Sequence, residues 1–476
     1  MIAAKAWAGK HYAVYGLARS GRATVEALLA SGARVTAWDA SEAARAALKS
    51  SPAVAGEVAA KPTEGFLNAA EEPLRQAAPA TSPGNPGEDR LTIADLDTAD
   101  LTQFDSLVVT PGLPLNRHPI AQRAREAGVE IIGDVELFAR ARAELPPHKV
   151  VGITGTNGKS TTTALVHHIL QTAEVPSLMG GNIGVPILSQ DPLPEGGVYV
   201  LELSSYQIDL TQSLDCDVAV LLNVTPDHLD RYQDFEAYIA SKIRLFRMQE
   251  FGISLFNADD PIADDWYMRI EHEELFGSRY QWTHFFEAYQ NDKFNRAQSD
   301  WPALQGPHNA QNAAAAIAVC EFLRLDQEAI EEGLCTYPGL PHRMERVLDR
   351  NGVLFVNDSK ATNAEAAAPA LSAYPKVRWI VGGRAKAEAL GDTARHLDHV
   401  VAAYTIGEAG PMFARLLREA GVAVVECETL ENAVKRAAKD SQPGETVLLS
   451  PASASFDQFK DFEARGDRFR LLVGAL

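Results

Sequence analysis

The sequence predicts an α/β protein of three domains, each built on a mostly parallel sheet, and three observations carry that expectation. At 476 residues the chain is too long for one hydrophobic core, and three domains are the natural division. Short apolar runs alternate with helical periodicity along most of its length, which is the pattern of βα units. Near the middle, VVGITGTNGKSTTT (Val150 to Thr163) passes from an apolar strand through a glycine-bracketed turn into a helix.

The central turn suits a polyphosphate. Bare glycine backbone lets N–H groups approach the oxygens, and a helix N-terminus adds a favourable partial charge. Lys159 would reach the terminal phosphates, and the Ser160 hydroxyl would face a magnesium ion. Five residues separate Gly152 from Gly158, so the working signature is the shorter GTNGKS, Gly155 to Ser160. The competing reading is a ligand-free strand-to-helix turn that contains a lysine; Gly-Lys-Ser-Thr directly after an apolar strand counts against it.

Composition narrows the classes. Hydrophobic content of 46% with 22% charged residues is that of an ordinary globular protein. A net charge of −19 argues against nonspecific binding to nucleic acid or anionic membrane, and an anionic substrate then needs locally placed cations. Cys216, Cys320, Cys335 and Cys427 show neither CxxC pairing nor histidines at metal spacing, as expected of thiols in a reducing compartment. MIAAKAWAGKHYAVYG lacks the apolar core of a signal peptide, and no run reaches the length of a membrane span. The expectation is a cytoplasmic protein.

Taken in order, HYAVYG (His11 to Gly16) reads as a strand, LARSG as a turn, and Thr24 to Ser31 as a helix; Arg34 to Trp38 is a second strand ending on Asp39. This opens a βαβ unit with a turn for phosphate and an acid placed for a ribose. GLARSG, Gly16 to Gly21, lacks the middle glycine of GxGxxG, which leaves a generic nucleotide or sugar-phosphate site, or a turn with no ligand. From Ser50 to about Asp100 the periodicity is poor and the segment reads as decoration. Order returns with a strand at Ser106–Thr110, a helix near Ile120–Ala127 and a strand near Val129–Ile132. ELPPHK, Glu144 to Lys149, is a proline-stiffened linker. YPGLPHR, Tyr337 to Arg343, is a second one, so the chain divides into 1–145, 146–338 and 339–476.

In the middle domain the helix from Ser160 to about Thr172 carries His167 and His168, read as ordinary surface or packing residues rather than ligands. The glycines of GGNIGVP permit close backbone approach, and Asn182 offers both a donor and an acceptor. Glu202, near the end of the buried strand Val198–Leu203, is placed to hold Mg²⁺ beside a phosphate loop. The strand Asp217–Asn223 runs into TPDHLDR with Asp227, His228 and Asp230. In the helix Phe235–Phe246, composition alone makes Lys242 a solvated cation. Asp259 to Trp301 reads as strands and loops. Asn309 and Asn312 share one face at the start of an alanine-rich helix. The last domain alternates again, with strands at Val353–Asn357, Arg378–Val381, Ala403–Ile406 and Thr446–Leu449 emptying into the polar loops NDSKATN, GGRAKAE and SPASASFDQFKDFEARG.

These residues support a magnesium-dependent, ATP-using enzyme with a second, nucleotide-like ligand. It is either a ligase or kinase, or a P-loop switch; the small-molecule character of the loops favours the former. TGTNGKST, GGNIG, LELSSYQ, NVTPDHLDR, HNAQN, PHRMERV, NDSKATN and LLSPASASFDQFKDFEARG occur in the order seen in Mur ligases, so nearly the whole chain resembles that family. The last motif is similar to that of its D-glutamate-adding branch; a branch adding another amino acid is the alternative, without a DNPR-type motif to support it.

The resemblance implies a cytoplasmic step of peptidoglycan synthesis run by a monomer: ATP phosphorylates the carboxylate of UDP-N-acetylmuramoyl-L-alanine, and the amine of D-glutamate attacks the acyl phosphate. It also implies roles. Gly155, Thr156, Asn157, Gly158, Lys159, Ser160, Thr161, Asn309, Asn312, Arg343 and Asp358 would bind ATP. Ser160 and Glu202 would meet one Mg²⁺ and His228 a second, and Lys242 falls where the family carries a CO₂-derived carbamate. Arg19, Ser20, Asp39, Gly112, Asn182 and Ser204 would hold the UDP substrate, and Lys360, Thr362, Lys386, Ser455, Phe456 and Phe462 the D-glutamate.

Overall fold

The computed structural model describes residues 1–51, 90–272, 281–287, 298–385 and 387–476. They build three sheets. In the first, β1 (His11–Tyr15), β2 (Arg34–Trp38), β3 (Leu91–Ile93), β4 (Ser106–Val109) and β5 (Glu130–Ile132) run in the order β3-β2-β1-β4-β5. Every pairing is parallel, which requires crossovers, and the helix Arg19–Ala30 makes the first of them. One face buries Ala13, Leu107, Val109, Ile120 and Ala124. Residues i, i+2 of one strand share a face, so β4 contributes Leu107 and Val109 together.

The second sheet contains β6 (His148–Thr154), β7 (Ser177–Gly181), β8 (Gly197–Glu202), β9 (Val218–Leu221), β10 (Gly252–Asn257) and β11 (Gln281–Phe286), ordered β11-β10-β9-β6-β8-β7. The near-continuous apolar runs of β8 and β9 are buried throughout, as expected of central parallel strands covered on both faces. The third sheet is β12 (Glu345–Arg350), β13 (Val353–Asn357), β14 (Val377–Gly382), β15 (Val400–Ile406), β16 (Val424–Glu428) and β17 (Thr446–Leu449), ordered β12-β13-β17-β14-β15-β16. Only β12 with β13 is antiparallel among the pairings of this sheet. Trp379 and Val381 face one core and Ile380 the other, so β14 alternates between two buried layers.

By contact the chain separates into two compact units. One comprises Met1–Thr156, Val175–Ser254 and Met268–His284; the other comprises Asn157–Glu174, Leu255–Tyr267 and Phe285–Leu476.

The sequence expectation differs from the structure at several places. The segment read as strands and loops from Asp259 to Trp301 contains the helix Pro261–His272. Its signal is local: Asp260 accepts the Ala263 N–H at 2.9 Å and Pro261 opens the first turn. The poorly periodic stretch before Asp100 supplies β3, too short for alternation to show; residues 52–89 lie outside the described residues. The first helix begins at Arg19, five residues ahead of the expected Thr24, because the turn is tighter than its sequence suggests. The edge strands β7, β12 and β16 escaped the pattern, since half-exposed edges carry polar and glycine residues.

Candidate functional site

In the first unit the central turn is assembled by its neighbours in the sheet. β6 and β8 are parallel with Ile153 opposite Glu202, so the end of β8 lies beside the start of the turn. Gly155 has φ +155, and an added Cβ would stand 3.0 Å from Leu222 Cβ and 3.3 Å from the Asn223 backbone N. A side chain there would have to displace the end of β9. Thr156 donates its N–H to the Asn223 carbonyl at 2.9 Å, and its hydroxyl accepts the Thr225 N–H at 3.0 Å. The Gly155 carbonyl accepts Lys242 Nζ at 2.8 Å.

Lys242 is the clearest departure from the composition-based reading. It is 1% exposed, on the inner face of the helix Phe235–Arg247, with its ammonium 4.6 Å from the centroid of the Tyr238 ring. A solvated helix cation has no reason to be there, since burying an ammonium is costly without partners. Glu202 is 2% exposed; Oε1 accepts Asn182 Nδ2 at 3.0 Å, whereas Oε2 is buried with no hydrogen-bond partner. Asn182 also donates its own N–H to the Glu202 carbonyl at 2.8 Å. Gly181, at φ +84, makes that approach possible: a Cβ would lie 2.1 Å from the Glu202 carbonyl oxygen. Two predicted residues, one for substrate and one for metal, are therefore one hydrogen-bonded pair.

An orphaned buried carboxylate oxygen is the feature a divalent cation would satisfy, and Glu202 fits Mg²⁺ on that ground. Among the described residues no group of three His, Cys, Asp or Glu stands together as a ready metal cage. His228 is exposed, has φ +55, and lies with its ring 3.6 Å from Asp227 Oδ2. A left-handed histidine costs of order 1 kcal/mol and marks a constrained loop. Ser204 is the N-cap of the helix Ser205–Asp209 in a capping box with Gln207, so its hydroxyl also has a structural partner.

The first turn of the chain, also in this unit, is equally tight and differently charged. A Cβ on Gly21 would fall 1.8 Å from the Gly16 carbonyl oxygen. Asp39 accepts the Leu17 N–H at 2.7 Å and the Ser41 N–H at 2.8 Å, so the acid after β2 closes the turn itself. Arg19 is exposed and Ser20 half-buried at the helix start, and Gly112 is exposed in the loop after β4.

In the second unit, Gly158 (φ +85) is the N-cap of the helix Lys159–Thr172, with Ser160 and Thr161 buried in its first turn and Asn157 exposed before it. Thr162 donates to Asn312 Oδ1 at 3.3 Å; Asn312 Nδ2 donates to Asn309 Oδ1 at 3.1 Å. Asn312 thus ties the helix Pro307–Phe322 to the helix Lys159–Thr172, and Asn309 holds the Asn312 amide in place. His168 pairs with Thr336 at 3.0 Å.

Asp358 is buried and accepts Ser450 Oγ at 2.7 Å and the Met344 N–H at 3.2 Å. Burial pushes its carboxyl up to about 7, against the opposing pull of Ser450 and Arg343. Arg343 Nε is buried without a hydrogen-bond partner, the counterpart of Glu202 Oε2: one wants an acceptor, the other a cation. Lys360 Nζ lies 5.6 Å from the Phe462 ring, Thr362 is half-buried, Ser455 buried and Phe456 exposed. Arg384 exchanges two backbone hydrogen bonds with Ala454, which sets the GGRAKAE loop beside Ser455; Lys386 itself lies outside the described residues.

Two residues were missed by sequence reasoning. Arg465 is 1% exposed and donates to Ser359 Oγ, Ser359 O and Ser453 O at 2.9, 2.8 and 3.0 Å, lacing two site loops together. His342, at φ +61, shares a buried network with Asn357 at 3.0 Å. The signal for Arg465 was present in the closing motif, but a lone arginine in a polar loop reads as solvated. A cavity of about 410 Å³ in this unit, lined by Arg350, Lys435, Lys439, Phe355 and Leu476, contains none of the predicted residues.

Mostly parallel α/β sheets, one of them leading into the short glycine turn GTNGKS, define the class of P-loop-type α/β proteins. Within that class the chain belongs to the Mur ligase family. The Mur ligase middle domain matches residues 153–320, and the Mur ligase, glutamate ligase domain matches residues 342–453. It is 54% identical over 476 residues to UDP-N-acetylmuramoylalanine--D-glutamate ligase of Novosphingobium aromaticivorans, covering 100% of this chain and 97% of that one. To the protein of the same name in Sphingopyxis alaskensis it is 53% identical over 482 residues, covering all of both. Among solved structures, the UDP-N-acetylmuramate-alanine ligase of Thermotoga maritima superposes with a TM-score of 0.54 at 16% identity, over 98% of this chain and 99% of that one. That likeness is one of fold.

Proposed function

We propose that this chain is the ATP-dependent ligase that joins D-glutamate to UDP-N-acetylmuramoyl-L-alanine through an acyl phosphate, a cytoplasmic step of peptidoglycan synthesis. The full-length similarity to enzymes of that name supports the substrates. The observation that carries the chemistry is the end of β8: a buried carboxylate with one unsatisfied oxygen, in register with the strand that leads into the phosphate turn.

A carboxylate is a poor electrophile, and phosphorylation supplies a leaving group. Lys159 and the turn's N–H groups hold the polyphosphate, Arg343 offers its unpaired Nε to an anionic oxygen, and Asn309 and Asn312 border the nucleoside. Glu202, with Ser160, would hold one Mg²⁺ and His228 a second; when bound, the ions neutralise charge building on the transferring phosphoryl group. Lys242 as a carbamate would present oxygen to a cation; its burial beside the turn, where a bare ammonium would repel Mg²⁺, supports that modification. Asn182, tied to Glu202, and Ser204 border the muramoyl-alanine end, while Arg19, Ser20, Asp39 and Gly112 take the UDP end. Lys360, Thr362, Lys386, Ser455, Phe456 and Phe462 receive D-glutamate, with lysine cations matched to a dicarboxylate.

We assign these tasks to three domains, 1–145, 146–338 and 339–476, each containing one of the three sheets, and to a monomer that partners small molecules, with no nucleic acid or membrane insertion. Among the described residues no helix is long and apolar enough to cross a membrane. The deciding measurement is phosphate release from Mg-ATP with UDP-N-acetylmuramoyl-L-alanine and single amino acids. Release with D-glutamate is expected; release with L-alanine or a diamino acid instead would overturn the assignment.

A further inference from the structure

We infer that Arg231 is a positioning residue that pins the loop after β4 to the loop after β9, so that Gly112 and His228 are held as one body. All the residues involved lie in the first unit. The guanidinium grips three successive backbone carbonyls: Nη1 donates to Gly112 O at 3.2 Å, and Nη2 to Pro111 O at 3.2 Å and Leu113 O at 2.9 Å. Its carbon sits 4.2 Å from the centroid of the Tyr206 ring, and that ring lies 4.9 Å from the His228 ring. The Arg231 N–H donates to the His228 carbonyl at 2.8 Å, closing the turn in which His228 takes φ +55.

The chemistry calls for arginine. A planar fork with five donors can serve three carbonyls from its edge while its flat face stacks on an aromatic ring; a lysine ammonium carries its three donors on one atom and has no face to stack, so it cannot do both at once. A second contact runs alongside: Asn116 Nδ2 donates to Asp230 O at 3.0 Å, and Arg117 pairs with Asp230 Oδ2 at 3.0 Å. That ion pair is exposed on both sides, so water and salt weaken it, and Arg231 is the stronger fastening. No carbonyl from Pro111 to Leu113 is used by the sheet ladders described for β4, so the latch adds order where the sheet does not.

Because binding effects are reciprocal, occupancy at Gly112 and occupancy at His228 then bias one another through Arg231. The consequence for turnover rests on the ligase reading; the latch itself does not. The test compares hydrogen exchange of 111–116 and 225–232 in the intact protein with Arg231→Ala, Arg231→Lys and Arg117→Ala, alongside thermal unfolding. Arg231→Ala is expected to lower protection at least about tenfold in both segments together, Arg231→Lys to lower it in part, and Arg117→Ala to leave it within about twofold. Protection unchanged in Arg231→Ala, or lost in only one segment, overturns the inference; if the alanine variant does not fold, the lysine variant decides by the same criterion. In the activity arm the KM for the UDP substrate is expected to rise about tenfold with a similar fall in kcat and little change in KM for ATP. Loosened loops with unaltered KM and kcat would overturn the coupling. Loosened loops in a protein whose parent shows no D-glutamate-dependent turnover would leave the latch standing and sink the ligase reading.

Discussion

The two glycine turns of this chain follow the same plan and do opposite things with charge. Each comes off a central parallel strand into a helix, and each contains a glycine where a Cβ would be crowded, against the Gly16 carbonyl at Gly21 and more mildly against Leu222 and Asn223 at Gly155. After β1, a carboxylate closes the turn: Asp39 takes the Leu17 N–H. After β6, main-chain carbonyl and lysine do the work: Asn223 O takes the Thr156 N–H, and Lys242 reaches the Gly155 carbonyl. Backbone shape is set by strand, turn and helix, whereas ligand preference is set by what neighbouring elements bring to the turn. An acid at the first turn disfavours a dense polyphosphate and suits hydroxyls or a ring N–H. Lys159, opening the helix after the second turn, suits polyphosphate.

Exchanging or removing these groups tests the contrast, beginning where the largest loss is expected. Lys159→Ala should lower ATP-dependent phosphate release by about a thousandfold or more, because a charge clamp on the transferring phosphoryl group is lost. Near-normal turnover at high ATP would refute the phosphate-loop role. Lys242→Ala should cost about a hundredfold and recover in part with added short carboxylic acids, which can enter the vacated space as oxygen donors. A folded variant that no carboxylate rescues would count against the carbamate and leave the Gly155 hydrogen bond as the residue's task.

At the first turn, Asp39→Asn should raise KM for the UDP substrate about tenfold while kcat stays within about twofold, since the lost interaction is one of uniform binding. A kcat-dominated effect would mean that the first turn reports to the chemistry more directly than its charge pattern suggests.

The last effect concerns stability rather than turnover. Asp358 has its carboxyl pushed up from 3.8 to about 7 by burial, so the folded state binds its proton more tightly than the unfolded chain does. Stability from this site is therefore present below the unfolded value and is lost as pH rises from about 4 through about 7, by roughly 4 kcal/mol at most. Asp358→Asn should flatten that slope in urea midpoints taken across the window. An unchanged slope would show that other groups carry the pH dependence.

Much of the candidate site was legible because its elements are local. GTNGKS announces itself by glycine spacing, and β8 by an apolar run ending in Glu202. Other features were legible only through family likeness or not at all. Lys242 looks like a surface cation until the helix is rotated against β6, whereupon it is 1% exposed. Arg465 and Arg231 look like loop cations until their carbonyl partners, distant in sequence, are in place. The helix Pro261–His272 was obscured by acidic and aromatic neighbours, although its Asp260 cap was in plain sight.

By itself, then, the sequence determined the alternation of strand and helix, the central glycine turn and the family, since periodicity, glycine placement and short motifs are properties of neighbouring residues. Only the tertiary structure decided which polar atoms are buried and which of those lack partners. Glu202 Oε2 and Arg343 Nε are the clearest cases, because desolvation depends on every element packed around an atom and on none of its sequence neighbours alone.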